Sequence, residues 1–323
     1  MTYHSLWLDK PYYSLNAYFK HTFGEKCYKI ALDGGCTCPN RDGTLDTRGC
    51  IFCSGSGSGD FSTPVNRHQS ISEQIAHGLS LMGNKKTGNK FVAYFQAFTN
   101  TYGPINRLRT LYTEALNAPE IIGLSIATRP DCLGEEVLNL LKELKLSYPD
   151  KFIWVELGLQ TIHEATACYI RRGYPLPVFD KAAQDLHRLG IPFIVHIILG
   201  LPGENKNMLL QTVDYLNTVK PFGVKLQLLH ILKGTDLAAE YAKGHFEALS
   251  EEAYFDLLGA CIGRLHPGIV LHRVTGDGPK NLLIAPLWSA DKRGVLNRLH
   301  HYLKLNNIYQ GRDFHDTRTV DII

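Results

Sequence analysis

Short apolar runs alternate with segments of helical spacing along most of the chain. The runs are nearly continuous in Val, Ile, Leu, Phe and Tyr, a pattern typical of strands buried on both faces of a parallel sheet. Strands are predicted at 28–33, 91–95, 121–126, 152–157, 192–199 and 224–229. Apolar positions spaced by three and four predict helices at 71–82, 105–116, 133–146, 162–171, 178–189 and 207–219.

Six strand–helix units predict an α/β fold. Because six units are too few for a closed eight-unit barrel, we expect a partial (β/α)6 TIM-type barrel, with a doubly wound sheet as the alternative. After residue 233 the alternation stops, and a helix at 249–265, a strand at 269–274 and a helix at 291–305 are predicted. The predicted domains are therefore a barrel over 1–233 and a small α+β extension over 234–323 that packs on it.

Composition and charge narrow the possible classes of protein. The chain has 323 residues and a formal net charge of +3, so charge alone does not require a nucleic-acid partner. The N-terminus has no basic segment followed by an apolar run. The longest apolar stretch, 191–201, is about half the length that a membrane-spanning helix needs. These features predict a soluble cytoplasmic protein without membrane contact.

Four of the eight cysteines lie close together directly after the first predicted strand. They are Cys36, Cys38, Cys50 and Cys53, in a glycine-rich segment that ends in a Gly/Ser run at 54–59. Such clustering favours metal binding over a disulfide framework. In either predicted fold, the segment lies at the carboxyl ends of the strands, where active sites form.

Three types of site are compatible with the cysteine spacing. Cys38, Cys50 and Cys53 could hold an iron–sulfur cluster whose fourth iron stays open. All four cysteines could form a zinc site, although the Cys-Thr-Cys pair at 36–38 is shorter than usual zinc spacings. Cys50 and Cys53 could form a redox pair, which normally begins a helix rather than a Gly/Ser loop. Spacing favours the cluster over zinc, and zinc over the redox pair.

The residues around these cysteines resemble the YhcC/YtqA-type radical S-adenosylmethionine (SAM) proteins, in the branch related to the elongator catalytic subunit. The resemblance lies in YKIALDGG at 28–35, CPNRDG at 38–43 and GCIFC at 49–53. Further matching segments are ATRPD at 127–131, ELGLQT at 156–161, RRG at 171–173, GLPGE at 200–204 and HRVTGD at 272–277. The resemblance covers nearly the whole chain and implies a [4Fe–4S] cluster held by Cys38, Cys50 and Cys53, with Cys36 outside the motif.

The same resemblance implies that SAM binds at the open iron, where it is cleaved to a 5′-deoxyadenosyl radical. Residues at strand ends become candidates for SAM binding: Gln96, Thr99, Glu156, Gln160, Arg172, His196 and Gly200. Thr128, Arg129 and Asp131 are expected to face the same cavity. Glu156 lies inside an apolar run and needs a partner, which could equally be a structural salt bridge. His196 could likewise be an ordinary core histidine.

The family includes MnmL-type enzymes of the tRNA wobble uridine, which convert its 5-carboxymethylaminomethyl group to aminomethyl. The resemblance therefore implies tRNA as substrate and an electron donor such as flavodoxin or ferredoxin. Arg273 and Asp277 are expected to border the substrate pocket. Candidate RNA contacts are Lys20, His21, Lys26, Lys29, Lys292, Arg293, Arg298, His300, His301, Lys304, Arg312 and Arg318, with Tyr12, Tyr13, Tyr18 and Trp288 for base stacking.

Other interpretations of the same residues remain open at this point. The basic residues could form a solvated helix face and the aromatic residues could belong to the core. The substrate could be a protein or a small metabolite. A zinc-containing RNA-binding protein without catalysis is a further alternative.

Overall fold

A computed structural model describes residues 3–57, 69–82, 88–276 and 278–315. Its strands are β1 (Tyr28–Leu32), β2 (Phe91–Phe95), β3 (Ile121–Thr128), β4 (Phe152–Gln160), β5 (Phe193–Leu199), β6 (Gly223–Leu228), β7 (Ile231–Leu232), β8 (Val270–Arg273) and β9 (Leu283–Ala285). Its α-helices are α1 (Leu15–Phe23), α2 (Ile71–Met82), α3 (Ile105–Asn117), α4 (Glu135–Ser147), α5 (Glu164–Tyr169), α6 (Leu176–Arg188), α7 (Lys206–Val219), α8 (Asp236–Ala242), α9 (Glu251–Arg264) and α10 (Lys292–Leu305).

Among the described residues, seven parallel strands form one curled sheet in the order β1-β2-β3-β4-β5-β6-β8. The predicted α/β class and partial barrel are thus confirmed. The predicted count of six strands is corrected to seven, because β8 continues the sheet beside β6 through the pairs Gly223–Val270 and Lys225–Arg273. The sheet therefore extends past residue 233, where the sequence predicted a separate extension. The remaining strands, β7 and β9, form a two-stranded antiparallel ladder.

The helix α1 covers one end of the half-barrel and was not predicted. It begins at Ser14, whose side chain accepts a hydrogen bond from the Ala17 amide, and it ends at Gly24, which has a φ of 77°. Its Phe19 ring stacks on Trp154 of β4 with centroids 5.8 Å apart. Since Glu156 and Gly158, two and four residues later on β4, line the internal cavity, this aromatic cluster closes the opposite end of the sheet.

Of the helices after β7, α9 packs on the outside of the sheet, α10 packs on α9, and α8 lies against β7. The N-terminus of α9 is capped by Ser250, whose hydroxyl accepts from the Ala253 amide, and α9 packs against α7 and β5. The apolar face of α9 is buried in the same hydrophobic core as the strands, so this part of the chain packs on the sheet. None of the helices in the described ranges combines the length and the apolar character that crossing a bilayer requires.

Candidate active site

A cavity of about 280 Å³ lies on the concave side of the sheet, at the carboxyl ends of the parallel strands. It brings together most of the residues that the sequence singled out: Cys38, Cys50, Cys53, Gln96, Thr99, Thr128, Arg129, Glu156, Gln160, Arg172, His196 and Arg273. Gly200 does not line it. Gly200 has a φ of 90°, and a methyl group added there would lie 2.8 Å from the Leu249 side chain. Glycine is therefore required at position 200 by a turn with positive φ that packs against Leu249.

The cysteine loop is anchored to the segment that follows β4. Buried Asn40 donates from Nδ2 to the Arg171 carbonyl at 2.8 Å and approaches the Cys50 sulfur at 3.6 Å. Arg171 in turn donates from Nε to the Gly49 carbonyl at 2.9 Å and pairs with Asp236 at 2.6 Å. These bonds fix the loop before Cys50, and the Ile51 amide, which donates to the Ile170 carbonyl at 3.2 Å, fixes it after Cys50. The thiol position is therefore set by the surrounding protein.

Arg41 braces the other side of the same loop. Its guanidinium donates to the carbonyls of Cys53 and Ser54 at 3.0 and 2.6 Å. No salt bridge engages Arg41 within the described ranges, so its positive charge remains beside the thiols. A cluster with three thiolate ligands is anionic, and such a charge stabilises it.

The three motif cysteines differ sharply from Cys36 in their surroundings. Cys38, Cys50 and Cys53 line the cavity and are free of disulfides. The hydrogen bond from the Cys53 thiol lowers the pKa of Cys50 to about 7, and Arg129, Asn40 and Arg41 act in the same direction against burial. Cys36 lies in the apolar core, where burial raises the pKa of its thiol to about 11. The donor set on the cavity is thus three thiols, as the cluster hypothesis requires.

No group of three or more His, Cys, Asp or Glu side chains in the described ranges is arranged around one point that could hold a single metal ion. Such a common point is the requirement of a mononuclear tetrahedral site. In a [4Fe–4S] cluster each thiolate binds a different iron, so the thiols surround a larger group.

Glu156 is the centre of a buried polar network inside the half-barrel. Its carboxylate accepts from Lys29 Nζ at 2.5 Å, from Ser125 Oγ at 2.6 Å and from Lys225 Nζ. His196 Nε2 lies 2.7 Å from Glu156 Oε2. Burial alone would raise the pKa of Glu156, but Lys225, Lys29 and His196 together hold it well below its ordinary value. The carboxylate is therefore ionised, and both of its oxygens are engaged.

The structural salt-bridge interpretation of Glu156 is thus realised, and the side chain also borders the cavity. Lys225 continues the network, because its Nζ lies 3.0 Å from the Tyr94 hydroxyl. Burial lowers the pKa of Lys225 to about 7 despite the nearby Glu156 carboxylate, and Lys29 adds repulsion. The network consequently holds more positive than negative charge.

His196 is held neutral in this network. Burial, followed by repulsion from Lys225, lowers its pKa to about 4, although Glu156 opposes the shift. Between pH 6.5 and 4 the unfolded chain binds more protons than the folded one, so stability falls as pH falls. A lowering from 6.5 to about 4 corresponds to about 3 kcal/mol of unfolding free energy lost across this window.

We expect His196→Asn to flatten that pH dependence, since asparagine keeps a donor for Glu156 and does not titrate. The measurement is the urea unfolding free energy of the as-isolated protein at several values between pH 7 and 4. His77→Asn, an exposed change on α2, is the control and should retain the wild-type slope. An unchanged slope in His196→Asn would contradict the neutral buried histidine.

Arg172 is more deeply engaged with the protein than the sequence suggested. The side chain is 2% exposed. It donates to the carbonyls of Tyr174, Leu159 and Thr161 at 2.9, 3.2 and 2.6 Å, and to Glu164 at 3.1 Å. These bonds hold the end of β4 against the segment after α5. Arg172 therefore lines the cavity as a structural residue that fixes the backbone of the cavity wall.

Arg129, rather than Arg172, is the arginine whose charge acts on the cysteine thiols. It forms a two-pronged pair with Asp131 at 2.9 and 2.7 Å and donates to the Arg172 carbonyl at 2.9 Å. Its charge also favours the thiolate of Cys50. Asp131 was predicted to face the cavity, but its carboxylate is turned to Arg129 and does not line the cavity.

Gln160 carries an unpaired buried atom on the cavity wall. It ends β4 with a backbone φ of 67°, which is uncommon for residues other than glycine. Its Oε1 is buried and has no hydrogen-bond partner in the described structure. Since a buried unpaired acceptor is costly, a donor from a bound molecule would complete this site. The unpaired Gln160 oxygen therefore fits a cavity that binds a ligand with a hydrogen-bond donor.

Sequence reasoning missed or misplaced several cavity residues. Lys29 was assigned to a surface that contacts RNA, but its ammonium group lies inside the half-barrel against Glu156. Lys225, Tyr94 and Arg41 were not singled out. The signal for Lys225 was available, because a lysine inside the apolar run of β6 requires a buried counter-charge.

The aromatic residues expected to stack on bases belong to the core. Tyr12 is 2% exposed, and its hydroxyl lies 3.0 Å from His300. Tyr13 and Tyr18 pack within buried clusters, and the Trp288 indole donates to the Leu249 carbonyl. The core interpretation is therefore supported for the three tyrosines, whereas Trp288 is half-buried and lines an open groove. Asp277 and Arg318 lie outside the described residues.

Sequence profiles and known proteins give independent comparisons. The profile of the Radical SAM superfamily matches residues 47–216, and that of the Radical_SAM C-terminal domain matches residues 221–305. YtqA of Bacillus subtilis is 42% identical over 306 residues, covering 95% of this chain and 94% of YtqA. Protein YhcC of Escherichia coli is 35% identical over 286 residues, covering 88% of this chain and 90% of YhcC.

Two more distant matches are a solved structure and a protein that matches over half of this chain. The solved structure of Elp3 from Methanocaldococcus infernus superposes with a TM-score of 0.65 at 16% identity. The alignment covers 88% of this chain and 64% of that one. The tRNA uridine(34) acetyltransferase of Methanocaldococcus jannaschii is 25% identical over 166 residues, which are 50% of this chain and 30% of that protein.

Proposed function

The chain belongs to the radical SAM superfamily, in its YtqA/YhcC-type, Elp3-like branch, and we propose that this enzyme uses a [4Fe–4S] cluster and SAM to modify the wobble uridine of tRNA. The proposed reaction converts a 5-carboxymethylaminomethyl substituent to aminomethyl. The glycine-derived CH2 would lose a hydrogen atom and then an electron and a proton, with SAM as the oxidant, cleaved to methionine and 5′-deoxyadenosine. Water would then hydrolyse the resulting imine and release the two-carbon unit as glyoxylate. The observation that carries the proposal is the grouping of three thiols, an unpaired buried acceptor and a charged network around one cavity at the strand ends.

Cys38, Cys50 and Cys53 would hold the cluster, and Cys36 would take no part. Bound there, the cluster and SAM would supply a radical able to take a hydrogen atom from the glycine-derived carbon of the substituent. Asn40 and Arg41 keep the loop in position, and the charges of Arg41 and Arg129 stabilise thiolate ligands. Phe52 also lines the cavity and shields its thiol end from water.

The proposed SAM-binding residues are Gln96, Thr99, Glu156, Gln160, Arg172, His196 and Gly200. Their contributions differ according to their contacts. Gln160 Oε1 would accept a hydrogen bond from SAM, since no residue in the described part of the chain donates to it. Arg172 acts as a positioning residue, because its guanidinium fixes the backbone of Leu159 and Thr161. Gly200 contributes only through its turn.

A basic groove beside the cavity supports a nucleic-acid substrate. The groove is about 820 Å³ and is lined by Lys280, Lys292, Arg293 and Arg298, by one carboxylate, Asp291, and by Leu287 and Trp288. Arg298 is already paired with Glu251 and Asp291, so the excess positive charge of the groove is smaller than four. Gly278 lines both the groove and the cavity, so the two spaces adjoin. Phosphates of an RNA strand would bind the groove while one base enters the cavity. The naming of a distant relative as a tRNA uridine(34) acetyltransferase points to the same nucleotide.

The test is anaerobic reconstitution with iron and sulfide, followed by incubation with SAM, a reductant and tRNA that carries 5-carboxymethylaminomethyluridine. A flavodoxin or a ferredoxin is the expected physiological electron donor and can replace the chemical reductant. We expect both 5′-deoxyadenosine and aminomethyluridine. Formation of 5′-deoxyadenosine with unchanged tRNA nucleosides would overturn the proposed substrate, and its absence would overturn the radical chemistry.

A further inference from the structure

Three basic side chains form a row across adjacent strands inside the cavity. The sheet register pairs His196 of β5 with Lys225 of β6, and Lys225 with Arg273 of β8. All three residues line the cavity. Because laterally paired residues of parallel strands point to the same face, the row lies along one side of the concave surface.

Only part of this positive charge is neutralised. Glu156 is the sole carboxylate among the described lining residues, and its oxygens are taken by Lys29, Lys225 and His196. The other buried arginines of the wall have partners of their own, since Arg129 pairs with Asp131 and Arg172 with Glu164.

Arg273 differs from these arginines, and also from Arg41, whose guanidinium donates to two backbone carbonyls. It is half-buried, and within the described ranges no hydrogen bond or ion pair engages its guanidinium. Its charge acts on its neighbours, because it contributes to the lowered pKa values of Lys29, Lys225 and His196, after burial in each case. Folding thus places an uncompensated cation beside two lysines, at a cost in stability. Such a group is retained where a ligand supplies the counter-charge.

We propose that Arg273 binds a carboxylate carried by the substituent of the substrate base. This inference rests on the proposed function and adds to it, because it assigns recognition of that substituent to a residue outside the cysteine motif. A planar guanidinium offers a carboxylate two parallel hydrogen bonds, so it selects for that group over a neutral amide.

The position of Arg273 distinguishes this carboxylate from the other anions at the site. Arg41 and Arg129 act on the cysteine thiols, and the carboxylate of SAM would bind at that end. Arg273 acts instead on the Glu156 network. RNA phosphates would remain in the outer groove, because the row lies on the inner face of the strands.

A first test needs no cofactor chemistry. Arg273→Gln should raise the thermal midpoint of the substrate-free protein, since it removes an uncompensated cation from the network. Arg188→Gln, at an exposed position of α6, is the matched control and should not raise it. A lowered midpoint in Arg273→Gln would show a structural role and overturn the proposal.

A second test compares tRNA carrying the carboxymethylaminomethyl group with tRNA carrying the corresponding carboxamide. We expect the wild-type kcat/KM to favour the carboxylate, and Arg273→Gln to lose about 10- to 100-fold on the carboxylate alone. Arg273→Lys should recover part of the preference. A variant that keeps the full preference overturns the subsite, whereas a wild type that converts neither tRNA overturns the proposed function first.

Discussion

Cys50→Ala is expected to bind almost no cluster after anaerobic reconstitution, whereas the wild type takes up about four iron atoms per chain. The loss follows from the ligand count, because two thiolates leave two irons of the cluster without protein ligands. Activity should fall to background with it. Iron and sulfide analysis, together with visible absorbance, measures the effect.

Cys36→Ala is the matched control, two residues from the first motif cysteine. Its thiol lies in the apolar core and away from the cavity, so the variant should keep its cluster. Circular dichroism should show both variants folded, since Asn40 and Arg41 anchor the loop through backbone carbonyls. Equal cluster loss in both variants would show that the ligand set is wrong.

Glu156→Gln is expected to lower the free energy of unfolding by about 3–5 kcal/mol, the usual cost of removing one partner from a buried ion pair. The substitution leaves Lys29 and Lys225 facing each other without a counter-charge. The pKa values of both lysines should then fall further. Since the unfolded chain would bind more protons at neutral and alkaline pH, the stability of the variant should rise with pH. Urea titration at pH 7 and 9 measures both effects.

The double variant Glu156→Leu with Lys225→Met provides the control for this pair. Removing Glu156 and Lys225 together should recover part of the loss, because the double variant leaves only Lys29, whose side chain is 17% exposed, without its counter-charge. Glu143→Gln, which breaks an exposed pair with Arg109, should leave the unfolding free energy nearly unchanged. A Glu156→Gln protein as stable as the wild type would contradict the central role of this carboxylate.

The framework of the sheet could be predicted because buried parallel strands produce continuous apolar runs. The predicted runs at 91–95 and 192–199 coincide closely with β2 and β5. The membership of β8 in the sheet could not be predicted, since four residues carry no sign of their pairing partner. The helix α1 was missed because its nine residues are held by aromatic contacts with Trp154 rather than by strong helix propensity.

The site could be predicted where one residue type dictates the chemistry. Cysteines next to the end of β1 had to meet the carboxyl ends of the other strands, so their place on the cavity follows from topology. The roles of charged residues could not be predicted in the same way. Lys29 and Arg172 were assigned to ligands, whereas each is bound mainly by a side chain or a carbonyl that only the folded chain brings near.

The most direct measurement of the central claim uses tRNA whose carboxymethylaminomethyl group is deuterated at the glycine-derived carbon. The reconstituted enzyme is incubated with SAM and reductant, and the 5′-deoxyadenosine is analysed by mass spectrometry. We predict one deuterium in 5′-deoxyadenosine, formed together with aminomethyluridine. Aminomethyluridine formed without deuterium transfer, or no 5′-deoxyadenosine at all from a protein with a full cluster, would contradict the account.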